Sequence, residues 1–110
     1  MAAVSNLAID QGTTFSVTIT VTDDTGSARN LTNYTVRSQM RRSYYTSSNT
    51  AFTANVSSPT DGTISLDLTS TQTSALKAGR YVYDVELVSN VASVERIVEG
   101  IVTIYPEATK

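Results

Sequence analysis

Apolar and polar residues alternate with a period of two along most of this chain, which is the signature of half-buried β-strands. The longest run is Gly79 to Tyr105. In its first half Tyr81, Tyr83, Val85 and Leu87 fall on one face, and Val82, Asp84, Glu86 and Val88 on the other. A short polar turn follows, then a returning strand in which Val94, Arg96, Val98, Gly100, Val102 and Ile104 form one set and Glu95, Ile97, Glu99, Ile101 and Thr103 the other. Residues opposite one another in a hairpin share a face, so the mostly apolar first set belongs with Tyr81 and Val85. Arg96 is then misplaced toward the core. It fits near a sheet end, or a β-bulge part-way along the strand swaps the two sets and turns it outward.

The same alternation recurs upstream. Val4 to Ile9 reads as a short first strand or an arm, ended by Asp10-Gln11-Gly12. From Thr14 to Thr22, Phe15, Val17, Ile19 and Val21 alternate with hydroxyl residues, predicting a strand with one face in the core. Leu31 stands as a lone apolar plug on a loop. Tyr34, Val36, Ser38 and Met40 then face one way, and Thr35, Arg37, Gln39 and Arg41 the other. Ala51 to Val56 is a fourth strand with Phe52, Ala54 and Val56 inward, and Ile64, Leu66 and Leu68 define a fifth. Asp23-Asp24-Thr25-Gly26 and Ser58-Pro59-Thr60-Asp61-Gly62 carry turn chemistry. Between Ser70 and Ala78 the period changes; Ser70 or Thr71 can cap a helix of one to two turns that Gly79 stops.

Six or seven strands with turn signals about every ten residues, and one short helix between the fifth strand and the C-terminal hairpin, predict an all-β, immunoglobulin-like antiparallel sandwich. With 110 residues the chain is one domain, residues 1–110. The segment Gly79-Arg80-Tyr81-Val82-Tyr83 has the form of the tyrosine corner of such sandwiches, which puts Tyr83 where antibody domains carry a cysteine.

Composition narrows the chemistry. There is no cysteine and no histidine, so disulfides, zinc–thiolate sites and Ser–His or Cys–His nucleophiles are excluded. A net charge of −2 gives the domain no pull toward nucleic acid or an anionic membrane. No apolar run approaches the roughly 20 residues of a membrane span. The N-terminal residues lack a basic region followed by a continuous apolar stretch, so no signal peptide is expected. Among the carboxylates, Asp84, Glu86, Glu95 and Glu99 come from the last hairpin and can gather on its outer face. A solvated charged face with Arg96 as partner outweighs a desolvated acid pair there. Asp23-Asp24 lacks the ligand spacing of a calcium loop, and the five glycines are isolated, so no metal or cofactor is expected. Chance explains the N-x-[ST] sequons at Asn30, Asn33 and Asn55 in so Ser- and Thr-rich a chain.

One basic and aromatic cluster stands out: Arg37, Arg41 and Arg42 with Tyr44 and Tyr45. A solvated strand edge and a protein interface both fit these residue types, which are enriched at interfaces. Nucleic-acid binding by charge and stacking fits least.

Several stretches together, Ile9-Asp10-Gln11-Gly12-Thr13-Thr14-Phe15, Leu31-Thr32-Asn33-Tyr34-Thr35-Val36-Arg37 with Met40-Arg41, Gly79 to Leu87, and Arg96-Ile97-Val98-Glu99-Gly100-Ile101-Val102-Thr103, carry a likeness. The succession resembles immunoglobulin-like structural proteins of tailed bacteriophages. It is similar to the N-terminal domain of siphophage upper baseplate proteins and to short virion proteins of marine and cyanobacterial phages. The likeness covers nearly the whole chain and implies a non-enzymatic virion component of capsid, neck, tail or baseplate. It also implies other virion proteins as partners and several copies per particle. No C-terminal receptor-binding or coiled-coil region of the baseplate kind is read in these 110 residues, so direct host recognition is not expected of them. The alternative from a different class is a carbohydrate- or cell-surface-binding adhesion module that uses exposed tyrosines.

Overall fold

Strands form where the alternation is cleanest, and breaks fall at glycine, proline and local side-chain-to-backbone bonds. The computed structural model describes residues 3–22, 25–43 and 49–108. Among the described residues, nine strands and one helix follow in the order β1 (Ala3–Val4), β2 (Leu7–Asp10), β3 (Phe15–Thr20), β4 (Thr35–Arg41), β5 (Thr50–Ala51), β6 (Thr53–Ser58), β7 (Thr63–Leu68), α1 (Ser70–Ser74), β8 (Gly79–Val88) and β9 (Val94–Tyr105). They make two sheets. The larger runs β1-β9-β8-β4-β5, with β2 also on β9; the smaller runs β3-β7-β6. All pairs are antiparallel except β1 and β2, which run parallel to β9. The protein is an immunoglobulin-like antiparallel β-sandwich. Strand β1 and strand β5 are two residues long, so the expected six or seven strands correspond to the longer ones. The first strand lies on the β9 side alone, whereas in antibody domains it also joins the other sheet. β3 is therefore an edge strand.

The hairpin of β8 and β9 contains the bulge that Arg96 demanded. Val85 lies opposite Val98, but Glu86 lies opposite Arg96, so Ile97 is the extra residue. Ile97 and Val98 are both buried. The side-chain sets exchange faces at this point, and Arg96 turns to the outer surface beside Glu86. An uninterrupted register would have driven its guanidinium between the sheets, where an unpaired charge costs several kcal/mol, on the order of the penalty for any buried ion.

The core lies between the sheets. Ile64, Leu66 and Leu68 of β7 face Tyr83, Val85 and Leu87 of β8, with Ile9, Leu31, Met40, Val102 and Ile104 around them. Leu31 plugs one end, as its lone position in a polar loop predicts. Three aromatic rings form a row across the interior: Phe15 and Phe52 have centroids 6.2 Å apart, and Phe52 meets Tyr83 edge-on at 6.1 Å. The Tyr81 hydroxyl donates to the Lys77 carbonyl at 2.8 Å, closing the tyrosine corner. The Tyr83 hydroxyl donates to the Ser5 carbonyl, at the break between β1 and β2.

Three local expectations are corrected. Ala51 to Val56 is not one strand, because the chain crosses from the larger sheet to the smaller at Phe52. Its amide donates to the Ser38 carbonyl while its ring drops into the core. The helix is capped by Thr69, one residue earlier than expected. The Thr69 hydroxyl accepts from the Gln72 amide and the Gln72 side chain accepts from the Thr69 amide, a reciprocal capping box. Finally, Phe15, Val17 and Ile19 of β3 are only half-buried despite the regularity of their alternation.

Candidate interaction surface

The outer face of the larger sheet gathers a network of charged side chains from β4, β8 and β9. Residue parity puts Thr35, Arg37, Gln39 and Arg41 of β4 outward, and the register then aligns them with β8 and β9. Arg37 lies opposite Glu86, which lies opposite Arg96. Gln39 lies opposite Asp84, which lies opposite Glu99. Arg41 lies opposite Val82, which lies opposite Ile101. The result is one row of alternating sign, Arg37–Glu86–Arg96, beside an acidic pair, Asp84 and Glu99, that Arg96 bridges. Arg37 Nε is 2.7 Å from Glu86, and Arg96 is 3.4 Å from Asp84 and 3.5 Å from Glu99. Such exposed pairs contribute about 0–1 kcal/mol each, so they shape the surface more than they hold the fold. Asp84 is held above the usual carboxylate range, first by partial burial and then by the nearby Glu86.

A shallow depression of about 410 Å³ lies on this face, lined by Gln39, Arg41, Val82, Tyr83, Asp84 and Glu86. The carboxylates Asp84, Glu86 and Glu99 gather here as expected, with Arg96 between them. Glu95 does not join them. Ile101, 40 % exposed, and Tyr105, 53 % exposed, continue the face along β9 with apolar area. Among the described residues no three carboxylates converge closely enough to hold a metal ion.

The sequence cluster divides. Arg37 and Arg41 share the outer face, four residues apart on one strand. Arg42, with the opposite parity, swings to the end of the sandwich. Its guanidinium sits 5.0 Å over the Tyr81 ring and 3.5 Å from the Ala78 carbonyl. Tyr44 and Tyr45 lie outside the described residues, as do Asp23 and Asp24.

Sequence reasoning missed a further arginine. Arg29, in the loop before β4, makes a two-armed ion pair with Glu95, 2.9 Å on each arm, and its guanidinium lies 5.3 Å from the Tyr34 ring centroid. No local signal joins residues 66 apart in sequence. The Arg29 hydrogen bonds hold the Glu95 carboxyl below the ordinary glutamate range. A depressed carboxyl adds stability above its unfolded pKa, about 4.3, and loses it as pH falls through the folded value. Glu95→Gln is therefore expected to lower stability at pH 7 by about 1 kcal/mol or less, since Glu95 is half-exposed. The gap between variant and native protein should close below about pH 4, as read by urea denaturation across pH. Asp84 has the opposite pH slope but contributes equally to both proteins and cancels. A gap independent of pH would contradict the assignment.

No protein-family profile and no curated protein matches the sequence. Solved structures do resemble it. One is an internalin-like protein of Listeria monocytogenes, at 15 % identity and a TM-score of 0.48 over 94 % of this chain. This chain spans 28 % of that protein's length. Another is murine CRIg, at 12 % identity and a TM-score of 0.43, covering 93 % of this chain and 92 % of that one.

Proposed function

We propose that this chain is a non-enzymatic structural component of a tailed-phage particle, binding neighbouring virion proteins through the outer face of its larger sheet. The observation that carries the reading is that face itself. It is a broad, shallow surface where the ion-paired network of Arg37, Glu86, Arg96, Asp84 and Glu99 adjoins the exposed Ile101 and Tyr105. A charged network of this kind fixes register and partner choice, and apolar area beside it supplies affinity. The lack of histidine and cysteine supports a role without catalysis. The particle assignment draws on the sequence likeness to phage structural proteins.

Mass spectrometry of purified particles should detect the chain; its absence from the virion would remove the particle assignment. For the face, the double variant Arg37→Glu, Arg41→Glu should block incorporation into particles. The isolated domain should keep its β-sheet circular dichroism, because the exposed pairs contribute about 1 kcal/mol at most. Undiminished incorporation of a folded double variant would overturn the role of this face. A glycan array of the isolated domain should show no selective signal; selective binding would favour the adhesion reading instead.

A further inference from the structure

Four strand edges bound the two sheets, and three carry devices that discourage pairing with another chain. Strand β6 is interrupted by a bulge between Val56 and Ser58 and followed at once by Pro59. Strand β4 is partly covered by β5 and carries Arg37 and Arg41. The edge formed by β1 and β2 is broken at Ser5–Asn6 and ends in Asp10. Strand β3 has none of these. From Thr13 to Thr22 there is no charge, proline or glycine, and its pairing with β7 runs without a bulge.

Its backbone valences are turned outward in a regular row. The Val21 amide donates to the carbonyl of Gly62, the residue that continues the β7 register opposite it. Backbone bonds alternate along an antiparallel pair, so Phe15, Val17 and Ile19 bond to β7. The N–H and C=O of Ser16, Thr18 and Thr20 point to the other side, where no strand pairs among the described residues. The side chains agree. Phe15, Val17 and Ile19 face the core but stay half-buried, whereas their partners Leu68, Leu66 and Ile64 are at most 1 % exposed.

We propose that β3 is the contact by which two copies of this chain pair edge to edge, antiparallel, about a two-fold axis through Thr18. The strand is nearly symmetric in residue type about that point. Val17 mirrors Ile19, Ser16 mirrors Thr20, and Thr14 mirrors Thr22. A two-fold contact must be self-complementary. Here it sets hydroxyl against hydroxyl on the outer face and β-branched against β-branched on the core face, pairings that favour a sheet. The segment is uncharged, so two copies that are each net negative meet without like charges opposed, and a charged partner strand finds nothing to complement it. Thr18 pairs with its own copy in the hydrogen-bonded position. Ser16 pairs with the second copy's Thr20, and the smaller sheets join into a continuous six-stranded one. Val17 of each copy then covers Ile19 of the other. This edge belongs to the other sheet from the Arg37–Arg96 network, so the two contacts fail independently.

The test is sedimentation equilibrium from micromolar to millimolar protein. The native chain should show a monomer–dimer equilibrium, and Arg37→Glu, Arg41→Glu should leave it unchanged. Thr18→Lys and Thr18→Glu, which change an exposed side chain and keep every β7 bond, should each weaken dimerisation about a hundredfold or more by opposing like charges. An equimolar mixture of the two should recover a one-to-one dimer. Thr18→Cys supplies a second reading. The chain has no other cysteine, and the hydrogen-bonded position sets the two Cβ atoms about 5.5 Å apart, too far for an unstrained disulfide but within the span of a short bis-maleimide, so that reagent should link the dimer. A native chain monomeric at millimolar concentration, a dimer unaffected by either charge, a mixture that stays monomeric, or a cysteine variant that does not cross-link would each overturn the proposal.

Discussion

Replacing Tyr83 with alanine is expected to lower the unfolding free energy by about 3–5 kcal/mol. The ring is 1 % exposed and stands where an immunoglobulin-like sandwich has no slack. It packs edge-on against Phe52, which in turn meets Phe15, so the row spans from β8 to β3. Alanine would leave a cavity that Phe52, held where the chain crosses between sheets, and Phe15, fixed to β3, cannot collapse to fill. The hydroxyl does separate work. It donates to the Ser5 carbonyl and so ties the break between β1 and β2 to the centre of the fold. Burial pushes the phenol above its ordinary pKa, so the protonated donor form is favoured further by the fold. Tyr83→Phe keeps the ring and removes that donor, for an expected loss of about 1–3 kcal/mol. It should also speed amide exchange at Ser5, whose N–H bonds to the Glu99 carbonyl. Urea midpoints for the two variants check this. Equal losses would mean that the hydroxyl, not the aromatic row, carries the stabilisation.

Tyr83 also illustrates which parts of the fold are legible in sequence. Period-two alternation fixed the inward face of β8 and β4 because each is covered on that face and wet on the other. The bulge in β9 was legible because one residue, Arg96, violated the pattern, and a charge is too costly to bury unpaired. Breaks without a violation were not legible. Phe52 continues the alternation of its neighbours, yet the chain changes sheets there, since an inward aromatic suits either sheet. The half-burial of β3 was hidden for the opposite reason. Its alternation is faultless, but burial depends on what lies beside a strand. Here the first strand has gone to β9 instead.

The candidate surface was legible in the same uneven way. Parity alone puts Arg37 and Arg41 on one face of β4 and Arg42 off it, so the division of the arginine cluster is a property of the strand. The network around Arg37 needed more. Arg96 reaches Asp84 and Glu99 only because the bulge shifts the register by one residue, and Glu95 leaves the acidic group for Arg29 at the sandwich end. Contacts between residues so far apart follow from topology, which local spacing does not encode.

Gly62→Ala is expected to lose about 2–5 kcal/mol, combining a left-handed backbone with overpacking. Gly62 has φ +68° and lies inside the loop that closes the smaller sheet. A Cβ there would come within 2.6 Å of the Arg29 carbonyl oxygen and 2.7 Å of the Val21 carbonyl oxygen. Neither oxygen can retreat easily. The Val21 amide donates to the Gly62 carbonyl, and the Arg29 amide donates to the Val21 carbonyl, so the three backbones are bonded around the site. Gly26 provides the control. Its φ of +84° imposes a similar backbone cost, but a Cβ would meet nothing within 4 Å. Gly26→Ala should therefore lose only the conformational part, about 1–2 kcal/mol. The difference between the two variants, measured by denaturant titration under one set of conditions, isolates the steric part. Since Arg29 holds Glu95, Gly62→Ala should also weaken that ion pair and flatten the acid dependence it produces. Equal losses at Gly26 and Gly62 would show that the loop yields to the added methyl, and that the bonded ring of Val21, Arg29 and Gly62 is less rigid than its geometry implies.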